Sequence, residues 1–303
     1  MLVAMLALLY DPGAPHGLRL GETADPVPGP SQALVAVHAA SLNFGEVAFI
    51  SRRSPGDVPG WDAAGTVLEA AADGSGPSAG ARVVTFGWSG AWSQRRAVDT
   101  GELAVLPDDV ELAAAAALPV AAVTALRAVR RLGSVLGRRV LVTGTSGGVG
   151  GFAVQLAARA GATVVAATGR PERAVDLGAA EVARDLAGVA PVHAVLDTVG
   201  GPLLAEALAL LEPGGLALSI GMASLEPTTI DFEAARVRGG VTIEAFGVGA
   251  GFGPDLAYLA ALVADGGLDP QIGWQGNWKR AHEAIELLRG RRLNGKAVME
   301  VES

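Results

Sequence analysis

The sequence predicts an α/β protein in which a β-rich part is followed by a doubly wound parallel sheet. Three observations lead to this fold class. The first third of the chain has short apolar runs separated by glycine, proline and serine, which is typical of strands. From residue 118 onward, strand-like runs alternate with helix-like segments, which indicates a parallel sheet with helices on its faces. A glycine-rich turn at 144–150 joins one such strand to the next helix.

Length and composition limit the function. A chain of 303 residues, 50% of them hydrophobic, suffices for two domains with their own cores. The net charge of −8 gives no electrostatic attraction to nucleic acid or to an anionic membrane. There is no cysteine, which excludes disulfides, thiol nucleophiles and thiolate metal ligands. The apolar run 1–10 lacks the flanks of a signal peptide, so we interpret it as a buried strand and expect a cytoplasmic protein.

The elements follow in order along the chain. The β-rich part has predicted strands at 1–10, 33–40, 65–71, 82–86, 95–98 and 103–106. Alanine-rich helices are predicted between 112 and 132. The alternating part has predicted strands at 140–142, 162–168, 192–196, 216–220 and 241–246, and helices at 152–160, 202–211 and 254–264. A helix at 278–288 and a strand at 296–301, which returns to the first domain, complete the chain.

The glycine turn predicts a dinucleotide site. It reads Thr145-Ser146-Gly147-Gly148-Val149-Gly150. Gly147 has no side chain to keep a pyrophosphate from the backbone, Gly150 lets the helix lie close to its strand, and the helix N-terminus offers unpaired N–H groups. Thr145 stands where the usual G-x-G-x-x-G pattern has its first glycine. The alternative is therefore a tight strand-to-helix turn that binds nothing.

The next strand predicts which dinucleotide binds. An NAD site has Asp or Glu about 20 residues past the glycines, where it bonds the ribose hydroxyls. Here the strand ends in Thr168-Gly169-Arg170-Pro171-Glu172-Arg173, without a carboxylate at its end. Arg170 and Arg173 could hold a 2′-phosphate, because guanidinium pairs with phosphate in a bidentate way. We predict that the site binds NADPH. The alternative is that both arginines are solvated charges at a helix start, and this alternative applies to Arg173 more than to Arg170.

Several motifs together resemble one superfamily. Besides the glycine turn, they are the segments 39–44 (AASLNF), 60–65 (GWDAAG), 118–125 (LPVAAVTA), 193–201 (HAVLDTVGG) and 295–298 (GKAV). In order and spacing the chain resembles the medium-chain dehydrogenase/reductase superfamily, within it the zinc-free quinone oxidoreductase and enoyl reductase branch. The resemblance implies a GroES-like catalytic domain at 1–117 and 266–303, and a Rossmann domain at 118–265.

The resemblance also implies roles for residues around a cleft where nicotinamide meets substrate. It places Asn43 beside the reacting carbon, where it either donates to the substrate oxygen or orients the nicotinamide ribose. Lys296 either reaches the cofactor or lies in solvent at its strand end. The other implied cofactor residues are Thr124, Gly147 to Val149 at the pyrophosphate, Val199, Gly200, Ile220, Gly221, Met222, Phe246, Gly247 and Val248.

Departures from the zinc-dependent relatives concern the metal. By position in the motifs, the places of the zinc ligands are Asn43, Trp61 and Val120, none of which is a good zinc ligand. Asp62 remains, but a lone carboxylate is more often a structural acid than a metal ligand. We therefore expect no metal. Without a Lewis acid a simple carbonyl is a poor hydride acceptor, whereas an enone or quinone delocalises the developing charge. The predicted reaction is reduction of a quinone or an α,β-unsaturated carbonyl by NADPH.

The proton donor stays open at this level. Many relatives have a tyrosine shortly after the Asn43 position, and this chain has Glu46 instead. Glu46 is a candidate donor, water is another, and Glu46 could equally be a structural acid bonded to backbone. Trp61 is expected to touch substrate. Tryptophans are more often core residues than parts of a pocket wall, and we expect the same of Trp88, Trp92, Trp274 and Trp278.

Two further functions compete with this one. The first is an enoyl-thioester reductase, for which Arg52-Arg53 and Arg95-Arg96 could form a landing surface for an acidic carrier. The second is a non-catalytic protein that binds NADPH.

We also expect a homodimer formed through the apolar strand 241–246, because an exposed hydrophobic sheet edge tends to be covered.

Overall fold

The chain forms two compact units in the computed structural model, which describes residues 4–237 and 239–302. The first unit consists of residues 1–123 and 250–303, and the second of residues 124–249. The predicted boundaries were 118 and 265. The second boundary differs because the loop at 250–252 is anchored in the first unit, where Glu102 accepts hydrogen bonds from the backbone N–H groups of Gly251 and Phe252.

The strands are numbered in chain order. They are β1 (Ala4–Tyr10), β2 (Leu18–Ala24), β3 (Gln32–Leu42), β4 (Asp62–Glu69), β5 (Arg82–Phe86), β6 (Arg95–Asp99), β7 (Leu103–Val105), β8 (Arg139–Thr143), β9 (Thr163–Ala167), β10 (Glu181–Ala183), β11 (Val192–Asp197), β12 (Leu211–Ser219), β13 (Thr242–Ala245), β14 (Ile272–Asn277) and β15 (Lys296–Glu300).

The helices alternate with strands in the second unit and lie between sheet strands in the first. They are α1 (Phe44–Ala48), α2 (Leu112–Ala116), α3 (Pro119–Arg131), α4 (Gly148–Arg159), α5 (Pro171–Asp176), α6 (Gly201–Leu208), α7 (Phe232–Val237), α8 (Gly253–Ala264) and α9 (Ala281–Arg289). None of the helices within the described ranges is long and apolar enough to cross a membrane. The cytoplasmic location stays a prediction.

The first unit is built on a sheet of seven strands. Its order is β14-β15-β3-β4-β5-β7, with β6 paired to β3, and β1 and β2 form a separate hairpin. Strand β15 runs antiparallel to β3, with Ala297 opposite Leu42, so the last strand returns to the first domain as predicted. Trp92 and Trp278 are buried in the core beside this sheet, which rules out a pocket role for both.

Helix α8 belongs to the first unit because its N-terminus packs there. The Phe252 ring stacks on Phe86, with 3.7 Å between ring centroids. Gly253 lies so close to the backbone that a Cβ would be 2.8 Å from the carbonyl oxygen of Leu103. These contacts explain why a helix that continues the α/β alternation in sequence is not part of the second unit.

The second unit is a doubly wound sheet of six parallel strands. Its order is β10-β9-β8-β11-β12-β13. After β8 the chain moves outward to β9 and β10, and then returns to the other side of β8 with β11. This reversal between β8 and β11 is the place where such sheets bind ligands. The predicted fold class, an α/β protein with a β-rich domain and a parallel sheet, is confirmed.

Some elements were not predicted from the sequence. Strands β2, β10 and β14 are short or contain glycine, and their side chains are only partly buried, so their hydrophobic patterns are weak. The predicted helix 202–211 ends at Leu208, and β12 already begins at Leu211. Helix α1 has five residues, which is too few for a helical period to show.

Candidate active site

The carboxyl edge of the second unit's sheet collects the predicted cofactor residues. Five strands end there, and each is followed directly by a predicted segment. The segments are 144–150 after β8, 168–173 after β9, 199–200 after β11, 220–222 after β12 and 246–248 after β13. Because carboxyl ends of parallel strands share one sheet edge, the fold brings together segments that are far apart along the chain, from residue 144 to residue 248. Thr124 lies in α3, nearly buried.

The geometry of the glycine turn suits a pyrophosphate. Gly147 is the N-cap of α4, whose N–H groups point into the turn. A Cβ at Gly147 would meet only the carbonyl oxygen of Gly144, at 3.4 Å, so the space above this residue is open. The hydroxyl of Thr145 is buried without a hydrogen-bond partner among the described residues. An unsatisfied buried hydroxyl beside a helix N-terminus fits a phosphate-bearing ligand.

Gly150 has a packing role in the same turn. A Cβ there would lie 2.3 Å from the carbonyl oxygen and 2.7 Å from the carbonyl carbon of Gly144. Gly144 itself has φ of +64°, and a Cβ would meet the Thr198 hydroxyl at 2.3 Å. The turn therefore tolerates side chains at neither position. Gly144 is a required glycine of this turn that the sequence pattern did not single out.

The residues at the end of β9 suit the 2′-phosphate of NADPH better than the unphosphorylated ribose of NADH. Thr168 accepts a hydrogen bond from the backbone N–H of Arg170, at 3.1 Å, which fixes the turn that leads into α5. A Cβ at Gly169 would meet nothing within 4 Å. No carboxylate ends the strand, and Arg170 and Arg173 are both half-buried here. The donor set is that of an NADPH site.

Asp197 ties the ends of β8 and β11 together. Its carboxylate accepts from the Thr143 hydroxyl, at 2.6 Å, and from the backbone N–H of Gly200, at 2.8 Å. The Thr198 hydroxyl donates back to the carbonyl oxygen of Thr143, at 2.9 Å. Burial raises the pKa of Asp197 above its usual range, and these hydrogen bonds oppose the rise. Asp197 therefore shapes the edge on which the predicted residues Val199 and Gly200 lie.

A buried charged cluster occupies the first unit. It consists of Glu46, Asp62, Arg96 and Lys296, none of which is more than 4% exposed. The cluster contains two acidic and two basic side chains. Ionisable side chains are this deeply buried only when they are paired and hydrogen-bonded. The sequence singled out Glu46, Asp62 and Lys296 separately; it did not show that they meet.

Asn43 lies in contact with three members of the cluster. Its Oδ1 accepts from Lys296 Nζ at 2.6 Å. Its Nδ2 donates to Asp62 Oδ2 at 2.8 Å and to Glu46 Oε2 at 3.1 Å. Both amide protons are therefore held by carboxyl oxygens of the protein. Donation to a substrate oxygen would require one of these hydrogen bonds to break, and the role of Asn43 stays a prediction.

Lys296 points into the protein. Its ammonium donates to the carbonyl oxygen of Leu42 at 3.1 Å, to Asn43 Oδ1 and to Asp62 Oδ2 at 3.3 Å. An ammonium has three protons, and here three acceptors surround it. The expectation of a solvated strand end for Lys296 is wrong, because the side chain is 3% exposed and hydrogen-bonded within the first unit. A cofactor contact of Lys296 stays a prediction.

Glu46 accepts hydrogen bonds mainly from the backbone. Its Oε2 accepts from the N–H of Asn43 at 2.8 Å, and its Oε1 accepts from the N–H of Trp61 at 2.6 Å. This geometry favours the reading as a structural acid. The Asn-x-x-Glu spacing of a helix capping box is the sequence signal that could have identified it. Burial, and then the nearby Asp62 carboxylate, raise the pKa of Glu46 to about 8, opposed by Lys296 and the Asn43 hydrogen bonds.

This pKa predicts a pH-dependent stability. A carboxyl group whose pKa is raised on folding stabilises the protein fully below its ordinary pKa and loses that contribution as pH rises through the folded value. We expect the free energy of unfolding to fall between pH 5 and 8, with a slope of up to about 1.4 kcal/mol per pH unit from this group. Urea titrations at several pH values measure it. Glu46→Gln should remove this slope; an equal slope in both proteins would contradict the assignment.

An aromatic surface lies next to the cluster. Trp61 and Trp88 meet edge to face, with 5.2 Å between ring centroids, and Trp88 makes a similar contact with Phe86. Trp88 is 56% exposed. A Cβ at Gly45 would lie 3.1 Å from the Trp61 ring, so this ring covers the start of α1 beside Asn43. The first unit therefore presents Asn43 and exposed aromatic surface close together.

Arg96 fixes the backbone beneath this surface. Its guanidinium donates to the carbonyl oxygens of Trp61, at 3.0 Å, and Ser89, at 2.9 Å. Burial lowers the pKa of Arg96 to about 10, while Asp62 and Glu46 favour its charged form. Over residues 4–237 and 239–302, no group of three His, Asp or Glu side chains could hold a metal ion.

Comparisons with known proteins find two domain families in this chain. The profile of an alcohol dehydrogenase GroES-like domain matches residues 29–108, and that of a zinc-binding dehydrogenase matches residues 161–299. Acrylyl-CoA reductase AcuI of Ruegeria pomeroyi is 35% identical over 65% of this chain and 68% of its own. The spectinabilin polyketide synthase system protein NorB of Streptomyces orinoci is 34% identical over 92% of this chain, which spans only 13% of NorB.

Solved structures also superimpose on nearly the whole of this chain. A quinone oxidoreductase from Coxiella burnetii superimposes with a TM-score of 0.84 at 26% identity, covering 99% of this chain and all of that one. Mycobacterial Rv1454c, determined in complex with NADPH, has a TM-score of 0.85 at 25% identity over 98% of this chain and 99% of its own. This chain therefore belongs to the medium-chain dehydrogenase/reductase superfamily, in the branch of the quinone oxidoreductases and enoyl reductases.

Proposed function

We propose that this protein transfers a hydride from NADPH to a quinone or to the activated C=C of an enone, without zinc. The observation that carries the proposal is the combination of two features in one chain: a dinucleotide edge without a ribose-binding carboxylate, and an Asn43 site in which a lysine ammonium contacts the amide oxygen. When bound, NADPH would supply one hydride, which carries both electrons of the reduction. The protein holds the cofactor, presents an apolar surface and excludes water.

The proposed reaction class rests on the buried side chains around Asn43, which suit an ammonium better than a metal ion. A hydride added to a simple carbonyl leaves a localised alkoxide, which usually needs a metal ion. A hydride added to a conjugated system leaves an enolate or hydroquinone anion with delocalised charge, and hydrogen bonds suffice to stabilise it. Both oxygens of Glu46 accept N–H groups, so we assign the subsequent proton to water.

Zinc independence is supported by the donors around Asn43. Its amide oxygen already accepts from the Lys296 ammonium, and Asp62 accepts from Ser41, Asn43, Lys296 and the backbone N–H of Val120. A divalent cation placed among these atoms would face a buried positive charge and an amide whose oxygen is engaged. Such a set favours an ammonium over Zn²⁺.

The aromatic surface supports an apolar, planar acceptor. Trp61 and Trp88 offer ring edges and faces beside Asn43, and aromatic side chains bind planar conjugated molecules well. The possible basic landing surface is weaker than the sequence suggested. Arg96 is buried, Arg95 pairs with Asp25 at 2.8 Å, and Arg53 donates to the carbonyl oxygen of Trp88 at 2.7 Å.

An enoyl-thioester substrate is the second candidate. It is favoured by the relatives, because AcuI is an acrylyl-CoA reductase and NorB belongs to a polyketide synthase system. The chemistry of the hydride step would be unchanged, since a thioester carbonyl also activates a conjugated C=C. Only the binding of the remote carrier would differ.

NADPH oxidation with a panel of acceptors tests the function. The panel contains quinones, enones and enoyl thioesters, with NADH as the control cofactor and EDTA present throughout. We expect consumption of NADPH, faster than that of NADH and unaffected by EDTA. Loss of activity on chelation would overturn zinc independence. Tight NADPH binding without oxidation by any acceptor would favour a non-catalytic role.

Arg170 is expected to select NADPH over NADH. Removing a guanidinium–phosphate interaction worth about 1.5–3 kcal/mol should raise the KM for NADPH about 10- to 100-fold in Arg170→Ala and leave that for NADH unchanged. Arg173→Ala is the matched comparison, with a smaller expected effect. Equal losses with both cofactors would show that Arg170 shapes the turn instead of binding the 2′-phosphate.

We further propose a homodimer formed through β13. In the described sheet this strand lies at one end of the order, and α7 just before it exposes Phe232 and Val237. Pairing of two such edges would continue the sheet and cover apolar surface. Light scattering at micromolar concentration should give twice the mass of the chain; a monomer would reject the proposal.

A further inference from the structure

Two loops of the first unit meet beside the aromatic surface. The loop after β5 carries Trp88, and the segment that joins α1 to β4 carries Arg53. The Arg53 guanidinium donates to the carbonyl oxygen of Trp88 at 2.7 Å. The backbone N–H of Gly90 donates to the carbonyl oxygen of Val58 at 3.0 Å, which joins the two loops a second time. The Arg53 charge is therefore fixed next to the loop that presents the Trp88 ring.

Arg53 keeps most of its hydrogen-bonding capacity for another group. A guanidinium has five N–H groups and a permanent positive charge, and one of these groups is used by the Trp88 carbonyl. Within residues 4–237 and 239–302, no carboxylate forms an ion pair with Arg53. Asp57, the nearest acid along the chain, accepts instead from the backbone N–H of Ser54 at 2.9 Å. This half-buried cation can therefore pair with an anion that a ligand brings.

The Trp88 ring is both fixed and exposed. It meets the rings of Trp61 and Phe86 edge to face, at interplanar angles of 83° and 81°. The carbonyl oxygen of the next residue, Ser89, accepts from the buried Arg96 guanidinium at 2.9 Å, which anchors the loop from below. More than half of the Trp88 side chain nevertheless faces solvent. A rigid aromatic face of this kind binds a flat conjugated molecule at a low cost in side-chain entropy.

We propose that Arg53 and Trp88 form a subsite for one class of acceptor, a planar conjugated molecule that carries a carboxylate. The ring system stacks on Trp88, and the carboxylate pairs with the Arg53 guanidinium, whose planar fork suits an anion with two oxygens. The net charge of −8 disfavours anions over the protein as a whole, so a local cation provides the attraction. This inference rests on the proposed function, in which the acceptor binds at the aromatic surface.

A matched pair of ligands tests the subsite. Anthraquinone-2-carboxylate and anthraquinone-2-carboxamide share one planar ring system and differ in charge. Their dissociation constants are measured by isothermal titration calorimetry without NADPH. We expect the carboxylate to bind about tenfold more tightly, as for one charge-assisted contact at a partly exposed site, and this advantage to shrink in about 1 M KCl. Equal affinities for the two ligands would overturn the proposal.

Substitutions of the two arginines assign the effect to Arg53. Arg53→Gln keeps an N–H donor for the Trp88 carbonyl but removes the charge. We expect it to weaken binding of the carboxylate about tenfold and to leave binding of the carboxamide unchanged. Arg52→Gln is the matched control, because it removes the same charge from a guanidinium that lies over the Phe49 ring, 4.2 Å from its centroid. An equal loss in both variants would overturn a subsite at Arg53.

Trp88→Ala tests the stacking half of the subsite. This substitution removes the exposed ring and no charge. We expect it to weaken both anthraquinones alike, by about three- to tenfold. Unchanged affinities in Trp88→Ala would overturn the role of this ring.

These measurements need no turnover, so they remain readable if no acceptor oxidises NADPH. A carboxylate preference that depends on Arg53 would then support the subsite while the proposed reaction fails. If a variant does not fold, the comparison of the two ligands in the unaltered protein still decides the case. Crotonyl-CoA, whose anionic groups are phosphates on a long carrier, is titrated in parallel. Dependence on Arg53 for crotonyl-CoA alone would overturn the proposal in favour of a carrier-bound thioester.

Discussion

Asp62→Asn is expected to lower the free energy of unfolding of the first unit by about 3–5 kcal/mol, the cost of breaking a buried ion pair by removing one partner. The Asp62 carboxylate accepts from Ser41, Asn43 and Lys296 on one oxygen and from the N–H of Val120 on the other. An amide there leaves the Lys296 charge without its partner and sets an NH₂ group against an N–H donor.

Tryptophan fluorescence in urea measures this change selectively. All five tryptophans, at 61, 88, 92, 274 and 278, lie in the first unit. Asp108→Asn is the matched control, because this exposed aspartate should change stability by no more than about 0.5 kcal/mol. A loss below about 1 kcal/mol for Asp62→Asn would contradict an ion pair that depends on this carboxylate.

Gly150→Ala is expected to destabilise the second unit by about 1–3 kcal/mol and to weaken NADPH binding together with it. The added methyl would lie 2.3 Å from the carbonyl oxygen of Gly144, so α4 must move away from β8. Far-UV circular dichroism in urea measures the loss of stability of the second unit, because this unit has no tryptophan. The tryptophan signal of the first unit provides the internal reference.

Gly147→Ala is the matched variant in the same turn. Its Cβ has room within the protein, at 3.4 Å from the nearest backbone oxygen, but occupies the space above the helix N-terminus. We expect unchanged stability and a loss of NADPH affinity of about 10- to 100-fold, as for one or two charge-assisted hydrogen bonds. Equal destabilisation by both substitutions would mean that the turn serves packing and not a pyrophosphate.

The second unit was predictable because its signals are local. Strand, glycine turn and helix follow each other within 23 residues, from Arg139 to Gly161, and the apolar patterns of β8 and β9 are continuous. Once the strands are parallel, their carboxyl ends must share an edge. The predicted positions of the cofactor segments on that edge therefore follow from chain order alone.

The charged cluster was not predictable in the same way. Lys296 and Asn43 are 253 residues apart, and their contact depends on the pairing of β15 with β3. Arg96 looked like half of a basic surface, because nothing in its neighbours along the chain reveals that β6 turns this side chain inward. Only the Asn43–Glu46 spacing carried a local signal, that of a helix cap.

Strand β15 lies between β14 and β3, inside the sheet of the first unit, although the whole second unit separates it from β3 along the chain. The second unit, by contrast, is one continuous stretch of chain that can fold as it leaves the ribosome. Glu46 and Asp62 precede the second unit along the chain and Lys296 follows it, so the charged cluster forms only after Lys296 has been synthesised. The second unit can therefore fold before the charged cluster of the first unit is complete.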